Sequence, residues 1–282
     1  MTALEKFREV SRLLKSFGIE DAPKEAELLI TSILGITKTS LYSGKYEITE
    51  EDSKKIDFLT IRRIRREPLQ YILGYVEFLG LKFNLGKGVL IPRPETEILA
   101  QEAIKTLKNK NGYVLDLCTG SGCIAITIAK NFPEAIVFGI DISEDALRYA
   151  EENARLNNTK NIQFLKGDLF EPLRLMSPKI RFDLIVSNPP YIKSEDIKSL
   201  QPEIRNWEPL EALNGGPDGL YYYRRIISEC RDFLAEAGTV LVELGDSKEV
   251  MEIAKDNSFK VLSITKDLSG IDRVMHLVLN HS

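Results

Sequence analysis

Histidine is nearly missing from this 282-residue chain: there are two, His276 and His281, both near the end. Three cysteines, Cys118, Cys123 and Cys230, accompany them. So few ligands of these kinds disfavour a zinc site, and three thiols form no paired disulfide framework. Long apolar runs are absent as well. Nothing approaches the ~20 residues of a membrane helix. The opening Met1-Thr2-Ala3-Leu4-Glu5-Lys6 is amphipathic, without the apolar centre of a signal peptide. A cytoplasmic protein with no membrane partner is expected. An excess of positive charge is also missing, with 38 basic against 42 acidic residues, a net charge of −4 and a pI near 5.5. Nucleic acid is therefore not favoured as the main partner, because a broad phosphate-binding surface is basic.

What is present is ample core material, 43% hydrophobic, arranged in three textures. Residues 1–68 place apolar side chains at helical spacing (Leu4, Phe7, Val10, Leu13, Leu14), with Asp21, Pro23 and Gly35 bounding a second helix and Thr49 opening a third. This predicts a small helical bundle. Its basic run Arg62, Arg63, Arg65, Arg66 reads as a solvated face at a helix C-terminus, where cations are favourable. Residues 69–94 turn to glycine, aromatic and β-branched residues and read as a hairpin linker. Residues 95–282 alternate strands and helices. Strands are predicted at 113–117, 136–140, 162–166, 182–187, 239–244, near 259–264, and at 274–279. Such alternation specifies an α/β fold with a seven-stranded, mostly parallel sheet, whose last two strands are close enough to pair antiparallel.

The most informative segment is Asn188-Pro189-Pro190-Tyr191, directly after the apolar run 182–187. It falls at a strand's carboxyl end, where open α/β sheets bind ligands. Two prolines donate no N–H, so the loop offers carbonyl oxygens, and Asn188 adds a side-chain acceptor. Tyr191 supplies a flat face for a planar amide or base. The segment suits an NH2 group, although a Pro-Pro turn closing an ordinary strand fits the tetrapeptide alone.

A second cluster begins after the strand at 113–117. Cys118-Thr119-Gly120-Ser121-Gly122 leads into a helix whose free N–H groups and glycine backbone permit close approach of a ligand. Asp116 precedes it. Asp141 ends the next strand, where a carboxylate can accept from both ribose hydroxyls. Asp168 follows the third strand, placed for an adenine amino group, with Ile142 and Leu169 to sandwich the ring. A third glycine for a pyrophosphate is missing and the acidic groups oppose phosphate, so a cation is the better guest. S-adenosyl-L-methionine carries a sulfonium, an amino group, a ribose and an adenine, which match this acceptor-rich cleft without any metal.

These residues resemble the Rossmann-like, class I S-adenosylmethionine-dependent methyltransferases. Glu67-Pro68-Leu69-Gln70-Tyr71-Ile72-Leu73-Gly74, Leu90-Ile91-Pro92-Arg93-Pro94-Glu95-Thr96-Glu97 and Ala212-Leu213-Asn214-Gly215-Gly216-Pro217-Asp218-Gly219-Leu220 are similar to signatures of the HemK-type protein-glutamine N5-methyltransferases. The resemblance implies a release-factor substrate methylated on the glutamine of Gly-Gly-Gln, and a helical domain at 1–68 that docks it. It places the cofactor on Cys118 to Gly122, Asp141, Asp168 and Leu169, to which the reading of the strand ends adds Asp116, Ile142 and Asn188. It places the substrate on Asn188 to Tyr191; Arg93 is expected to close one side of the substrate cleft, and Asn188, Pro189 and Tyr191 are expected to be catalytic. Cys118 departs from the family's usual glycine. The alternatives are a nucleic-acid methyltransferase acting on adenine N6 or guanine N2, and a noncatalytic adenosylmethionine-binding module.

Overall fold

The computed structural model describes residues 1–177 and 179–280, so His281 lies outside the described residues. The chain divides into two compact units, Met1–Tyr75 with Gln201–Trp207, and Val76–Leu200 with Glu208–Ser282.

The first unit holds α1 (Ala3–Ser16), α2 (Ala22–Leu34), α3 (Lys38–Tyr42), α4 (Glu50–Ile64) and α5 (Leu69–Leu73). Reciprocal capping boxes start α1 at Thr2 and Glu5 and α4 at Thr49 and Asp52, satisfying N–H groups the helices cannot. Gly35 ends α2 in the left-handed region. Val10, Leu14, Leu29, Ile30 and Ile56 form the core between the helices.

Two expectations change here. Residues 69–73 are helical rather than the start of the hairpin, because Pro68 fixes the entry backbone and Gly74 (φ +80°) caps the turn. The basic run is not uniformly solvated: Arg63 is 5% exposed. Its Nε donates to Glu25 Oε2 at 2.5 Å and its Nη1 to Glu203 Oε1 at 2.9 Å, while Arg66 Nη1 donates to the same Glu203 oxygen at 3.0 Å. A buried guanidinium is tolerable only with such carboxylate partners, which come from distant sequence.

In the remainder, β1 (Tyr75–Phe78) and β2 (Leu81–Asn84) form a two-stranded ribbon. The main sheet contains β3 (Tyr113–Leu117), β4 (Ile136–Asp141), β5 (Ile162–Lys166), β6 (Phe182–Ser187), β7 (Leu234–Glu243), β8 (Phe259–Lys266) and β9 (Asp272–Leu279), in the order β5-β4-β3-β6-β7-β9-β8. The pairings from β5 through β7 are parallel, and β9 runs antiparallel to both β7 and β8. Helices α6 (Thr96–Thr106), α7 (Cys123–Asn131), α8 (Glu144–Leu156), the turn α9 (Glu171–Arg174), α11 (Tyr221–Cys230) and α12 (Ser247–Asp256) connect them, and α10 (Pro202–Arg205) is the turn counted with the first unit. Strand alternation divides the core: Val114, Val137, Leu184 and Leu241 join one cluster and Leu115, Leu117, Ile140 and Ile185 the other. The parallel strands end together on one edge of the sheet, and the site is built there.

Candidate functional site

A cleft of about 490 Å3 lies along that edge, bounded by Gly120, Asp141, Asp168 and Asn188 from four strand ends. Cys118, Ile142, Leu169 and Pro190 also line it. The other expected residues, Asp116, Thr119, Ser121, Gly122, Pro189, Tyr191 and Arg93, stand off its wall.

Asp116 explains how the glycine loop is held. It is fully buried, and its Oδ2 accepts from Thr119 Oγ1 at 2.6 Å and from the Ala125 N–H at 3.2 Å. Alternation along β3 turns it away from Leu115 and Leu117, so it braces the loop from behind. Burial pushes its carboxyl up to about 7, the two donors pull it down, and Asp141 pushes it up further. Among the described residues, Asp116 Oδ1 and Ser121 Oγ are buried without a hydrogen-bond partner.

The loop turns through left-handed backbone at Cys118 (φ +59°), Gly120 (φ +56°) and Gly122 (φ +78°). The family's usual glycine at position 118 is thereby explained, since an L side chain is strained in that region. Burial, then Asp141 and Asp116, push the Cys118 thiol well above its ordinary value, so it is no nucleophile. A Cβ on Gly120 would meet nothing within 4 Å, whereas one on Gly122 would come within 2.9 Å of Ile126. Gly120 opens onto the cleft, and Gly122, the N-cap of α7, leaves room for the side chains of Ile126, Ala150 and Phe164.

Asp141 closes the loop from the neighbouring strand. Its Oδ2 accepts from the Gly120 N–H at 2.8 Å and its Oδ1 from the Ser143 N–H at 2.9 Å. Each oxygen keeps a further lone pair for the cleft. Burial raises its carboxyl and the backbone donors lower it. Ser143 caps α8 instead, accepting from the Ala146 N–H. Asp168 gives one oxygen to Arg225 Nη1 at 2.9 Å.

At the end of β6, Asn188 Nδ2 donates to Thr96 Oγ1 at 3.1 Å. Among the described residues nothing donates to Asn188 Oδ1. Tyr191 sits in a glycine cage: a Cβ on Gly215 would lie 2.7 Å from Tyr191 Cα, on Gly219 2.5 Å from Tyr191 O, and on Gly245 2.7 Å from Tyr191 Cδ2. Bonds from Ile192 N to Leu213 O and from Gly215 N to Ile192 O fasten the two segments. Burial, then Glu243, push the Tyr191 phenol up to about 12, so it stays neutral. Arg93 is tied to Glu208, whose Oε1 accepts from Arg93 Nη2 at 2.5 Å and whose Oε2 accepts from the Ile91 N–H.

Sequence reasoning missed Val89, Leu90, Pro209, Ala212 and Tyr222 on the cleft wall. Leu90 and Ala212 belong to the quoted signature segments, which were their only signal; Tyr222 carried none. Among the described residues, every charged one lining the cleft is acidic: Asp141, Asp145, Asp168 and Glu211.

Sheet order and cleft together define a class I methyltransferase. A methyltransferase domain model matches residues 108–278 and a PrmC N-terminal domain model residues 5–74. The chain is 49% identical to the release factor glutamine methyltransferase of Thermodesulfovibrio yellowstonii, over 98% of each chain. It is 40% identical to that of Fusobacterium nucleatum, over 96% of this chain and 77% of that protein. The chain belongs to the release factor glutamine methyltransferase family. Among solved structures, a Pyrococcus furiosus methyltransferase (TM-score 0.52, 18% identity, 82% of this chain and 99% of that one) shares the fold. So does SMU.776, solved in complex with SAH (TM-score 0.52, 13% identity, 72% of this chain and 55% of that one).

Proposed function

We propose that this protein transfers a methyl group from S-adenosylmethionine to the side-chain amide nitrogen (N5) of the glutamine in the Gly-Gly-Gln motif of peptide chain release factors. The observation that carries this reading is the orientation of Asn188, whose NH2 donates to Thr96 and whose carbonyl oxygen is left to accept.

The cleft fits the cofactor. Its charged lining is wholly acidic, which favours a sulfonium over a phosphate, and Asp141 keeps acceptor capacity for a ribose diol. Gly120, Asp141, Ile142, Asp168 and Leu169 would hold it, with Asp116, Thr119, Ser121 and Gly122 shaping the loop behind. Bound there, it supplies an electrophilic methyl group.

An amide nitrogen is a poor nucleophile because its lone pair is delocalised. Asn188 Oδ1 and the Pro189 carbonyl accept its two hydrogens, which fixes the nitrogen and pushes electron density onto it; the methylated nitrogen is strongly acidic and releases one of those hydrogens as a proton. Tyr191 walls the amide and excludes water that would compete for the acceptors. Arg93, near enough to Tyr191 to lower its pKa, stands on the substrate side. The helical residues 1–68 dock the release factor, and the protein works in the cytoplasm.

Labelled methyl transfer tests the reading. Label should enter release factor and not its Gly-Gly-Ala variant, DNA or RNA. Incorporation into nucleic acid alone would establish the base-methylating alternative, and no incorporation anywhere the noncatalytic one.

A further inference from the structure

We propose that Glu208 is a positioning residue for the cleft: its buried carboxylate ties the wall at Val89 and Leu90 to the wall at Pro209 to Ala212, and so governs how tightly S-adenosylmethionine is held. This rests on the reading of the cleft as the S-adenosylmethionine site.

The two walls are remote in sequence, and neither belongs to the main sheet. On one side Val89 and Leu90 line the cleft, and Ile91 follows them. The segment that continues from there contains Pro92 and Pro94, which have no N–H, so a strand ladder cannot hold it. On the other side Pro209, Glu211 and Ala212 line the cleft, and Glu208 precedes them. This second stretch is a single 3-10 turn, Leu210–Ala212. Its far end is fastened beside the clamp, where Ile192 N donates to Leu213 O at 3.0 Å. Its near end is fastened by Glu208.

Glu208 engages the opposite wall with both carboxylate oxygens. Oε2 accepts from the Ile91 N–H at 3.1 Å and Oε1 from Arg93 Nη2 at 2.5 Å. The Glu208 side chain is 1% exposed and Ile91 3%, so the tie is shielded from water. A buried N–H needs an acceptor, and a buried carboxylate needs donors and a counter-charge. Each wall therefore supplies what the other lacks. Cutting either bond leaves a buried polar group uncompensated, which the chain relieves by letting the two walls part and water enter. The apolar residues on both walls then lose their hold on a bound cofactor. Arg93 affects that hold through Glu208, because it stands off the cleft wall itself.

The test is calorimetric titration of S-adenosylmethionine, without release factor, into wild type, Glu208→Gln, Arg93→Ala, Arg93→Lys and the Glu208→Gln/Arg93→Ala double variant. Thermal unfolding and amide hydrogen exchange are followed on the same samples. Glu208→Gln is nearly isosteric but turns an NH2 toward one of the two donors, so it should weaken binding about tenfold, and Arg93→Ala about three- to tenfold. Arg93→Lys keeps the counter-charge and should restore affinity to within about threefold of wild type. Because the two residues act as one tie, the double variant should bind within about twofold of Glu208→Gln, whereas independent contributions would multiply. The KM for S-adenosylmethionine should rise with the dissociation constant, while kcat at saturation falls by less than about threefold. Exchange of the Ile91 amide should quicken about tenfold or more in Glu208→Gln with the amides of β3 and β4 unchanged, a split that general destabilisation would not give. Wild-type affinity in Glu208→Gln, or losses that multiply in the double variant, would overturn the proposal. If Glu208→Gln does not fold, wild-type affinity in Arg93→Ala overturns it in the same way. If wild type binds S-adenosylmethionine and the variants bind it equally well, this inference alone fails. If wild type does not bind it, the reading of the cleft fails as well.

Discussion

Asn188 Nδ2 and Thr96 Oγ1 lie 3.1 Å apart, joining the end of β6 to the first turn of α6 across 92 residues of sequence. The bond converts a flexible amide into a one-sided acceptor. A clamp that holds an NH2 group by its hydrogens needs that polarity, and two following prolines keep competing N–H donors out of the loop.

The glycine cage around Tyr191 gives a steric prediction. A methyl group at position 215 would lie 2.7 Å from Tyr191 Cα and 2.8 Å from Pro190 O, which are backbone atoms and cannot swing aside. Gly215→Ala should cost about 1–3 kcal/mol of stability through overpacking. It should also lower kcat at least tenfold by shifting the clamp. Chemical denaturation and steady-state kinetics check both halves.

Cys118 gives a backbone prediction. With φ at +59°, any residue bearing a Cβ is strained there. Cys118→Gly should be more stable than Cys118→Ala by about 1 kcal/mol, since both lose the thiol and only alanine keeps the strain. Urea midpoints of the two variants decide it.

Asp116 gives a pH prediction. Its carboxyl is raised from 3.8 to about 7 in the folded protein, chiefly by burial. The native state therefore holds this proton more tightly than the unfolded chain. Its contribution to stability is complete below 3.8 and is lost as pH rises through about 7. Asp116→Asn cannot ionise, so its stability relative to wild type should climb between pH 4 and pH 7.5. Equilibrium unfolding of both proteins across that window provides the check; a constant difference would contradict the burial argument.

Arg225 gives a cofactor prediction. It holds one oxygen of Asp168 at 2.9 Å, with the pair partly exposed (28% and 40%). Arg225→Ala should free that carboxylate to rotate and weaken S-adenosylmethionine binding about three- to tenfold, while kcat at saturating cofactor stays near wild type. Calorimetric titration measures the first and initial rates the second.

Local signals made the sheet legible. Strands at 113–117, 162–166 and 182–187 are short apolar runs stopped by glycine loops or Asn-Pro, and they form with those same bounds. The placement of β9 between β7 and β8 was not legible beyond the expected hairpin, because strand order is set by long-range pairing. Burial of Arg63 depends on Glu25 and Glu203, 38 residues before it and 140 after, which no local pattern announces. At the site, the inward turn of Asp116 follows from alternation along β3, which a stricter period-two reading contained. Thr96 had the quoted segment Leu90–Glu97 as its only signal, whereas Glu243 and Tyr222 had none. Each occupies an ordinary helix or strand position, and its relation to the site exists only after folding.

The most direct measurement is methyl transfer by Asn188→Ala to release factor, read by mass spectrometry on the Gly-Gly-Gln peptide, with S-adenosylmethionine affinity determined on the same sample. The clamp account predicts loss of transfer by about a thousandfold or more, consistent with removing a preorganised transition-state contact, and affinity within a few-fold of wild type. Full activity in this variant would contradict it.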